Sequence, residues 1–292
     1  MITKKQKKLG QVFLQDKNVI QKIIQTAEIK NKDQILEIGP GKGILTEALL
    51  KTGAKVIAVE KDQQLVEFLK SFLKDKQNLK IIYADIRDFL KTNQFYTQYS
   101  ILNTQYKVIG NIPYYLTSHL LRLLLENPIK PSLIVLMIQK EVAERIIAQP
   151  PRRRPSFAKA PIGEQGYGGQ AKMNLLAVSV QFFAKPEIIC YVPKAAFYPK
   201  PKLDSAVIKI TPIDTDENTD EALKKNFFEV VKAGFKQPRK LLINNLCANL
   251  KIKKDKIKKT FKQLNISLNA RAQNLSIKQW VSLSSLLMEN IV

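Results

Sequence analysis

Asn111-Ile112-Pro113-Tyr114 closes an apolar run, Tyr106-Lys107-Val108-Ile109-Gly110, and concentrates more site-forming chemistry than any other four residues of the chain. The Asn side-chain oxygen accepts a hydrogen bond. Pro113 lacks an N–H and has a fixed φ, so the backbone is stiff and presents its carbonyls in set directions. Tyr114 offers a flat face for stacking. The set suits a planar ring with an exocyclic amino group, such as adenine. Taken alone, the same residues also describe a strand ending in a proline turn.

Upstream, Glu37-Ile38-Gly39-Pro40-Gly41-Lys42-Gly43 passes from an apolar run into a helical pattern. Glycines at a strand-to-helix turn admit a ligand close to the backbone and leave helix N–H groups free. The spacing Gly39-x-Gly41-x-Gly43 puts Ile44 where a dinucleotide fingerprint wants glycine, and no Gly-Lys-Ser/Thr follows, so NAD and a P-loop are both disfavoured. A nucleoside remains. Glu60 closes Val56-Ile57-Ala58-Val59 and can accept both hydroxyls of a ribose. Asp85, after Tyr83-Ala84, can accept from an adenine amino group. Each acid alone is equally well read as a solvent-facing strand cap. Glycines, Glu60, Asp85 and Asn111 in chain order place all four at the carboxyl edge of one parallel sheet, where such folds bind ligands.

The elements that must position them are short runs rich in Ile and Val: 34–38, 55–60, 79–83, 106–110, 133–138, 187–192 and 206–210. Helical patterns at 46–51, 63–74 and 117–126 alternate with the early ones, which predicts an α/β fold with helices over a mostly parallel sheet. Residues 150–170 carry Arg152-Arg153-Arg154 among prolines and glycines and read as a surface loop. Beyond an acidic linker at 211–220 the patterns become helical, with 15 Lys or Arg against 4 Asp or Glu over 221–292. The expected division is a domain over 1–212, containing the 150–170 loop, and a small basic helical domain over 213–292.

The formal net charge of +23 points to a polyanionic partner, nucleic acid before membrane. Cys190 and Cys247 lie outside any metal or disulfide spacing and fit a reducing cytoplasm. His119 is the only histidine, which excludes His-based metal sites and Ser-His-Asp triads; it reads as a partly buried helix residue, not a catalyst. The basic N-terminus lacks a following apolar stretch, and the aliphatic run 133–138 is too short to span a bilayer.

On these residues the chain resembles the small-subunit ribosomal RNA adenine dimethyltransferases of the KsgA (RsmA) type, a branch of the class I S-adenosylmethionine-dependent methyltransferases. The resemblance runs through Leu9-Gly10-Gln11-Val12-Phe13-Leu14, the glycine turn, Asn111-Ile112-Pro113-Tyr114 and Gln139-Lys140-Glu141-Val142-Ala143-Glu144-Arg145. It continues in Phe197-Tyr198-Pro199-Lys200-Pro201-Lys202-Leu203-Asp204-Ser205-Ala206-Val207, Arg239-Lys240-Leu241 and Arg271-Ala272-Gln273-Asn274-Leu275-Ser276. It implies a Rossmann-like, seven-stranded, mostly parallel sheet with a small all-α C-terminal domain. It implies cofactor contacts at Val12, Leu14, Gly41, Glu60, Asp85 and Asn111, to which the turn adds Gly39. Relatives usually carry a polar residue where Val12 stands, so any contact there is through the backbone.

The implied substrate is the pair of adjacent adenosines in the 3′-terminal hairpin loop of 16S rRNA within the immature 30S subunit, modified by a cytoplasmic monomer. In the resulting mechanism Asn111 Oδ1 and the carbonyl of Pro113 or Ile112 accept the N6 hydrogens, Tyr114 stacks on the base, and Phe197 faces its other side. Arg239, Lys240, Lys253, Lys254 and Arg271 would hold RNA phosphates. Three rivals share features with this reading: an Erm-type large-subunit rRNA methyltransferase, a non-catalytic nucleic-acid-binding relative, and a DNA adenine methyltransferase. The version of the second motif with Leu-Asp-Ser-Ala-Val, the intact Glu60, Asp85 and Asn111, and Ile112 in place of a proline disfavour them in that order.

Overall fold

A computed structural model describes residues 12–92, 105–151, 171–215 and 220–288. Leu9-Gly10-Gln11 and the arginine run of the 150–170 loop lie outside the described residues, as does the Tyr114 side chain. The strands are β1 (Phe13–Leu14), β2 (Gln34–Ile38), β3 (Lys55–Glu60), β4 (Leu79–Tyr83), β5 (Tyr106–Asn111), β6 (Leu133–Gln139), β7 (Ala184–Val192), β8 (Phe197–Tyr198) and β9 (Ser205–Pro212). The helices are α1 (Lys17–Thr26), α2 (Ile44–Leu50), α3 (Gln63–Phe72), α4 (Ile86–Lys91), α5 (Thr117–Leu125), α6 (Lys140–Ile146), α7 (Leu175–Phe183), α8 (Glu221–Phe235), α9 (Leu242–Leu250), α10 (Lys254–Gln263) and α11 (Ile277–Met288).

Seven strands form one sheet in the order β4-β3-β2-β5-β6-β9-β7. The first five run parallel; β9 is antiparallel to both β6 and β7. The central strands are buried on both faces. Ile35, Leu36, Glu37 and Ile38 are buried consecutively, as are Val56 to Glu60 and Leu133 to Ile138. That is why they read as unbroken apolar runs, not alternating ones. From β2 the chain winds outward to β4 and then returns to β5, on the other side of β2. The direction of winding therefore reverses between β2 and β5, which opens a crevice above their carboxyl ends. Asp16, Asp62 and Asp85 cap the N-termini of α1, α3 and α4 by accepting backbone N–H groups, which fixes where each helix leaves the sheet.

The chain divides into two units: residues 1–143 with 184–212, and residues 144–183 with 213–292. The sequence expectation placed a single boundary at 212; residues 144–183 join the helical unit. There Phe182 of α7 stacks on Phe227 of α8 at 3.9 Å between centroids, and Phe183 stacks on Phe228 at 5.7 Å. Gly234 lets α8 and α11 meet closely: a Cβ would lie 2.5 Å from the Trp280 ring. Among the described residues no helix is long and apolar enough to cross a membrane.

Candidate active site

The crevice is a cleft of about 350 Å³, lined among others by Val12, Phe13, Leu14, Gly39, Gly41, Lys42, Glu60, Asn111, Ile112, Pro113 and Tyr115. Such a volume suits a nucleoside-sized ligand. Its floor is the glycine turn between β2 and α2. Gly41 has φ +57°, and a Cβ there would sit 3.1 Å from the Phe13 ring. Gly39 has φ +67°, and its Cβ would sit 3.3 Å from the Asn111 carbonyl oxygen. Only glycine supplies that backbone and leaves that space. The two halves of the sheet thus touch where the glycine turn meets the end of β5.

Asn111 closes β5 with its side chain held: Nδ2 donates to the Val12 carbonyl at 3.4 Å. This orientation turns Oδ1 away from Val12 as an acceptor. The expected contact at Val12 is through its backbone, and the backbone carbonyl is the atom the structure engages, here with Asn111. Pro113 is exposed and lines the cleft; its carbonyl accepts from Leu116 N–H at 3.0 Å and, among the described residues, from no other backbone donor. Tyr114 opens a single 3₁₀ turn, Tyr114–Leu116.

Glu60, at the end of β3, is buried and accepts from the N–H groups of Gly41 (3.2 Å), Lys61 (2.8 Å) and Asp62 (3.0 Å). Burial raises its pKa, and those three donors oppose the rise. The carboxylate therefore ties the glycine turn to β3 while facing the cleft. Asp85 behaves differently. Its Oδ1 accepts from the Arg87 N–H at 3.0 Å and Nε at 2.9 Å; its Oδ2 accepts from Arg87 Nη2 at 2.6 Å and Lys61 Nζ at 2.8 Å. The bidentate guanidinium beside it, with help from Lys61, holds the carboxyl well below the usual range. An ionised carboxylate has about four acceptor positions, and all four are taken here. Asp85 does not line the cleft, and an incoming amino group would have to displace one of these donors.

Sequence reasoning missed Glu37 as more than part of a motif. It is fully buried on β2, and neither carboxyl oxygen has a hydrogen-bond partner among the described residues. Burial, with a smaller push from Glu60, raises its pKa to about 8. The Thr46 hydroxyl opposes that rise without reaching hydrogen-bond geometry, and it too has no partner among the described residues. Phe13, Lys42 and Tyr115 were also passed over, although each adjoins a residue already singled out. Lys42 Nζ stands 5.0 Å above the Phe13 ring at the cleft.

Phe197 requires a correction. It was expected to face a base, but it is 4% exposed and belongs to the hydrophobic core with Leu14, its partner across the β1–β8 ribbon. Alternation along the strand turns Tyr198 outward instead, at 55% exposure. His119 is exposed on α5, not partly buried. In the helical unit Arg239, Lys240, Lys253, Lys254 and Arg271 are all exposed. Arg239 and Lys240 lie between α8 and α9; Lys253 and Lys254 start α10. Arg271 makes no ion pair among the described residues, and its N–H is held by Asn274 Oδ1 at 2.7 Å.

The glycine cradle, the buried acid at the end of β3 and the amide side chain at the end of β5 fit a nucleoside-bearing cofactor. Comparison with known proteins supplies the rest. A family model described as "Ribosomal RNA adenine dimethylase" matches residues 2–159 and 164–289. A curated protein of Dehalococcoides mccartyi named "Ribosomal RNA small subunit methyltransferase A" is 37% identical over 284 residues, 97% of this chain and 89% of that protein. A protein of the same name from Halothermothrix orenii is 36% identical over 98% of this chain and 89% of its own length. Among solved structures, a dimethyladenosine transferase from Plasmodium falciparum aligns at TM-score 0.68 and 25% identity, covering 93% of this chain and 95% of that one. The 23S rRNA methyltransferase ErmE aligns at TM-score 0.70 and 23% identity, covering 94% and 99%, a likeness of fold.

Proposed function

Because this chain belongs to the ribosomal RNA adenine dimethylase family, we propose that it dimethylates N6 of two adjacent adenosines in the 3′-terminal hairpin loop of 16S rRNA, using S-adenosylmethionine. The observation that carries this reading is the abutment of the glycine turn and Asn111 at the sheet's switch point. It joins a nucleoside cradle to an orientable amide oxygen in one cleft. The relatives named as small-subunit methyltransferases favour the small subunit over the Erm-type alternative, which shares the fold.

When bound, the cofactor supplies an electrophilic sulfonium methyl group. The adenine N6 lone pair is delocalised into its ring and is a poor nucleophile, so the chain must reshape it. Asn111 Oδ1, fixed by the Nδ2 bond to Val12, accepts one N6 hydrogen. The carbonyl of Pro113 or Ile112 accepts the other. Together they draw N6 toward tetrahedral geometry and aim its lone pair. Tyr114 stacks on the base. Orientation of this kind is worth up to roughly 7–11 kcal/mol. No side-chain base is needed, since a methylated ammonium loses its proton to water. The base must leave its stack to enter, so a hairpin loop is a better substrate than continuous duplex. Arg239, Lys240, Lys253, Lys254 and Arg271 are the candidates for holding phosphates on the helical unit. The protein would act as a monomer on immature 30S particles in the cytoplasm.

The test is to offer unmethylated 30S and 50S particles side by side with labelled cofactor. Label in the 30S rRNA is expected; label confined to 50S would replace this reading with the Erm-type one. A second expectation concerns Glu60. Three of its roughly four acceptor positions already hold the N–H groups of Gly41, Lys61 and Asp62, so it accepts one ribose hydroxyl at the remaining position, a hydrogen bond to a charged group worth about 1.5–3 kcal/mol. Glu60→Gln removes the charge and one acceptor oxygen, so S-adenosylhomocysteine should bind about 10- to 100-fold more weakly by calorimetry. Unaltered affinity would remove Glu60 from the cofactor site.

A further inference from the structure

Lys61 and Arg87 meet on the Asp85 carboxylate at 2.8 and 2.6 Å, and both cations remain open to solvent, at 57% and 37% exposure. Two positive charges share the one Asp85 carboxylate, with Asp88 a weaker electrostatic partner of Arg87. Lys61 has committed one of three donors to Asp85, and Arg87 two of five, so both retain capacity toward an anion. Their positions are already fixed by the carboxylate, so less side-chain entropy remains to be lost on binding. Beside them stands Tyr115, which lines the cleft and is the most exposed large hydrophobic side chain among the described residues, at 67%. Its phenol is near enough for both cations to feel it. Lys61 directly follows Glu60, which lines the cleft together with Tyr115, so the two cations adjoin the cleft without lining it.

A Lys and an Arg held beside an exposed ring match what a single-stranded nucleic acid presents: phosphates along the backbone and a π-face on every base. We propose that Lys61, Arg87 and Tyr115 form a flanking-nucleotide site, in which the two cations grip the phosphate next to the extruded adenosine and the Tyr115 ring stacks on the neighbouring base. This deepens the function above and rests on its reading of RNA as substrate. An alternative role for the cations, pinning the start of α4 through Asp85, would touch stability and leave RNA binding alone.

The two halves of the site have different signatures in a salt titration of binding to an RNA hairpin whose loop holds two adjacent adenosines, followed by fluorescence anisotropy. Each phosphate contact contributes about 0.7–0.9 to the slope of log affinity against log salt. Because the two cations share one phosphate, Lys61→Gln and Arg87→Gln combined should lower that slope by about this amount, and each alone by a measurable part of it. Tyr115→Ala should weaken binding about tenfold with the slope unchanged, as loss of one stacked base does. Lys51→Gln, on an exposed residue at the far end of α2, is the charge control and should leave the slope intact. Thermal unfolding of each variant identifies a folding defect, and Lys61→Gln, whose only side-chain bond among the described residues is at the surface, answers the question if Arg87→Gln does not fold. If the parent binds with a steep slope that Lys61→Gln leaves unaltered, the flanking site is wrong while the RNA reading stands. If the parent does not bind the hairpin at all, both fall together.

Discussion

Replacing Asn111 by alanine is expected to lower methyl transfer by about 10³-fold or more while RNA affinity stays within a factor of about two. The amide oxygen contributes only once N6 is being reshaped, so its loss is felt in the transition state and little in the encounter with RNA. Removing a single preorganised polar group of this kind costs about 10²–10³ in rate. Here the side chain also holds the Val12 segment through its Nδ2 bond, and the same position is a candidate cofactor contact, so the larger figure is expected. Single-turnover rates with saturating cofactor, set beside RNA binding isotherms, separate the two quantities. A variant that retained full activity would remove the acceptor role from Asn111.

Stability should fall as pH rises through the neutral range, and Glu37 should be the cause. Its carboxyl is fully buried with no hydrogen-bond partner among the described residues, and burial pushes its pKa up to about 8 in the folded protein, against 4.5 for the ordinary group. The folded state thus holds a proton that the unfolded chain has released. The stabilisation is complete below about pH 4.5, declines above it and is lost once the pH passes about 8. At about 1.36 kcal/mol for each unit of separation, the difference amounts to about 4–5 kcal/mol. Glu37→Gln keeps the shape and removes the titration. Chemical denaturation at pH 5 and pH 8.5 should show a large fall for the parent and a small one for the variant. Parallel losses in both proteins would mean that Glu37 is not the group responsible.

The sheet was legible because its inner strands are buried on both faces and leave unbroken Ile and Val runs bounded by Asp, Asn and Gly. The ends of the seven strands of the main sheet were read to within a residue or two, apart from the start of β7, which the structure extends back to Ala184; the two-residue strands β1 and β8 were not read. The site was legible for the same reason, since a parallel sheet gathers consecutive strand ends at one edge. What escaped is physical in origin. Helix α7 is apolar around most of its circumference, so it shows no stripe at helical spacing; it packs Phe182 and Phe183 against α8. Helix α10 buries only Ile257, Thr260 and Phe261 among its lysines, too few to stand out. Asp85 was read as an acceptor for a ligand, and a residue of that type serves a helix N-terminus and an arginine fork equally well; Arg87 two residues on was the available hint. Phe197 and Tyr198 differ only by the alternation of a two-residue strand, whose partner, β1, lies far away in sequence. Tyr115 was overlooked because the preceding residue already supplied a ring.

The central claim is that one cleft holds the methyl donor over the glycine turn and presents Asn111 Oδ1 to the N6 group of an extruded adenine. A crystal structure of the protein with S-adenosylhomocysteine and an adenosine-bearing RNA hairpin tests it most directly. The account predicts the cofactor product against Gly39 and Gly41, and N6 within about 2.7–3.2 Å of Asn111 Oδ1 and of the carbonyl of Pro113 or Ile112. A base seated elsewhere, or an Asn111 amide turned away from it, would contradict the account.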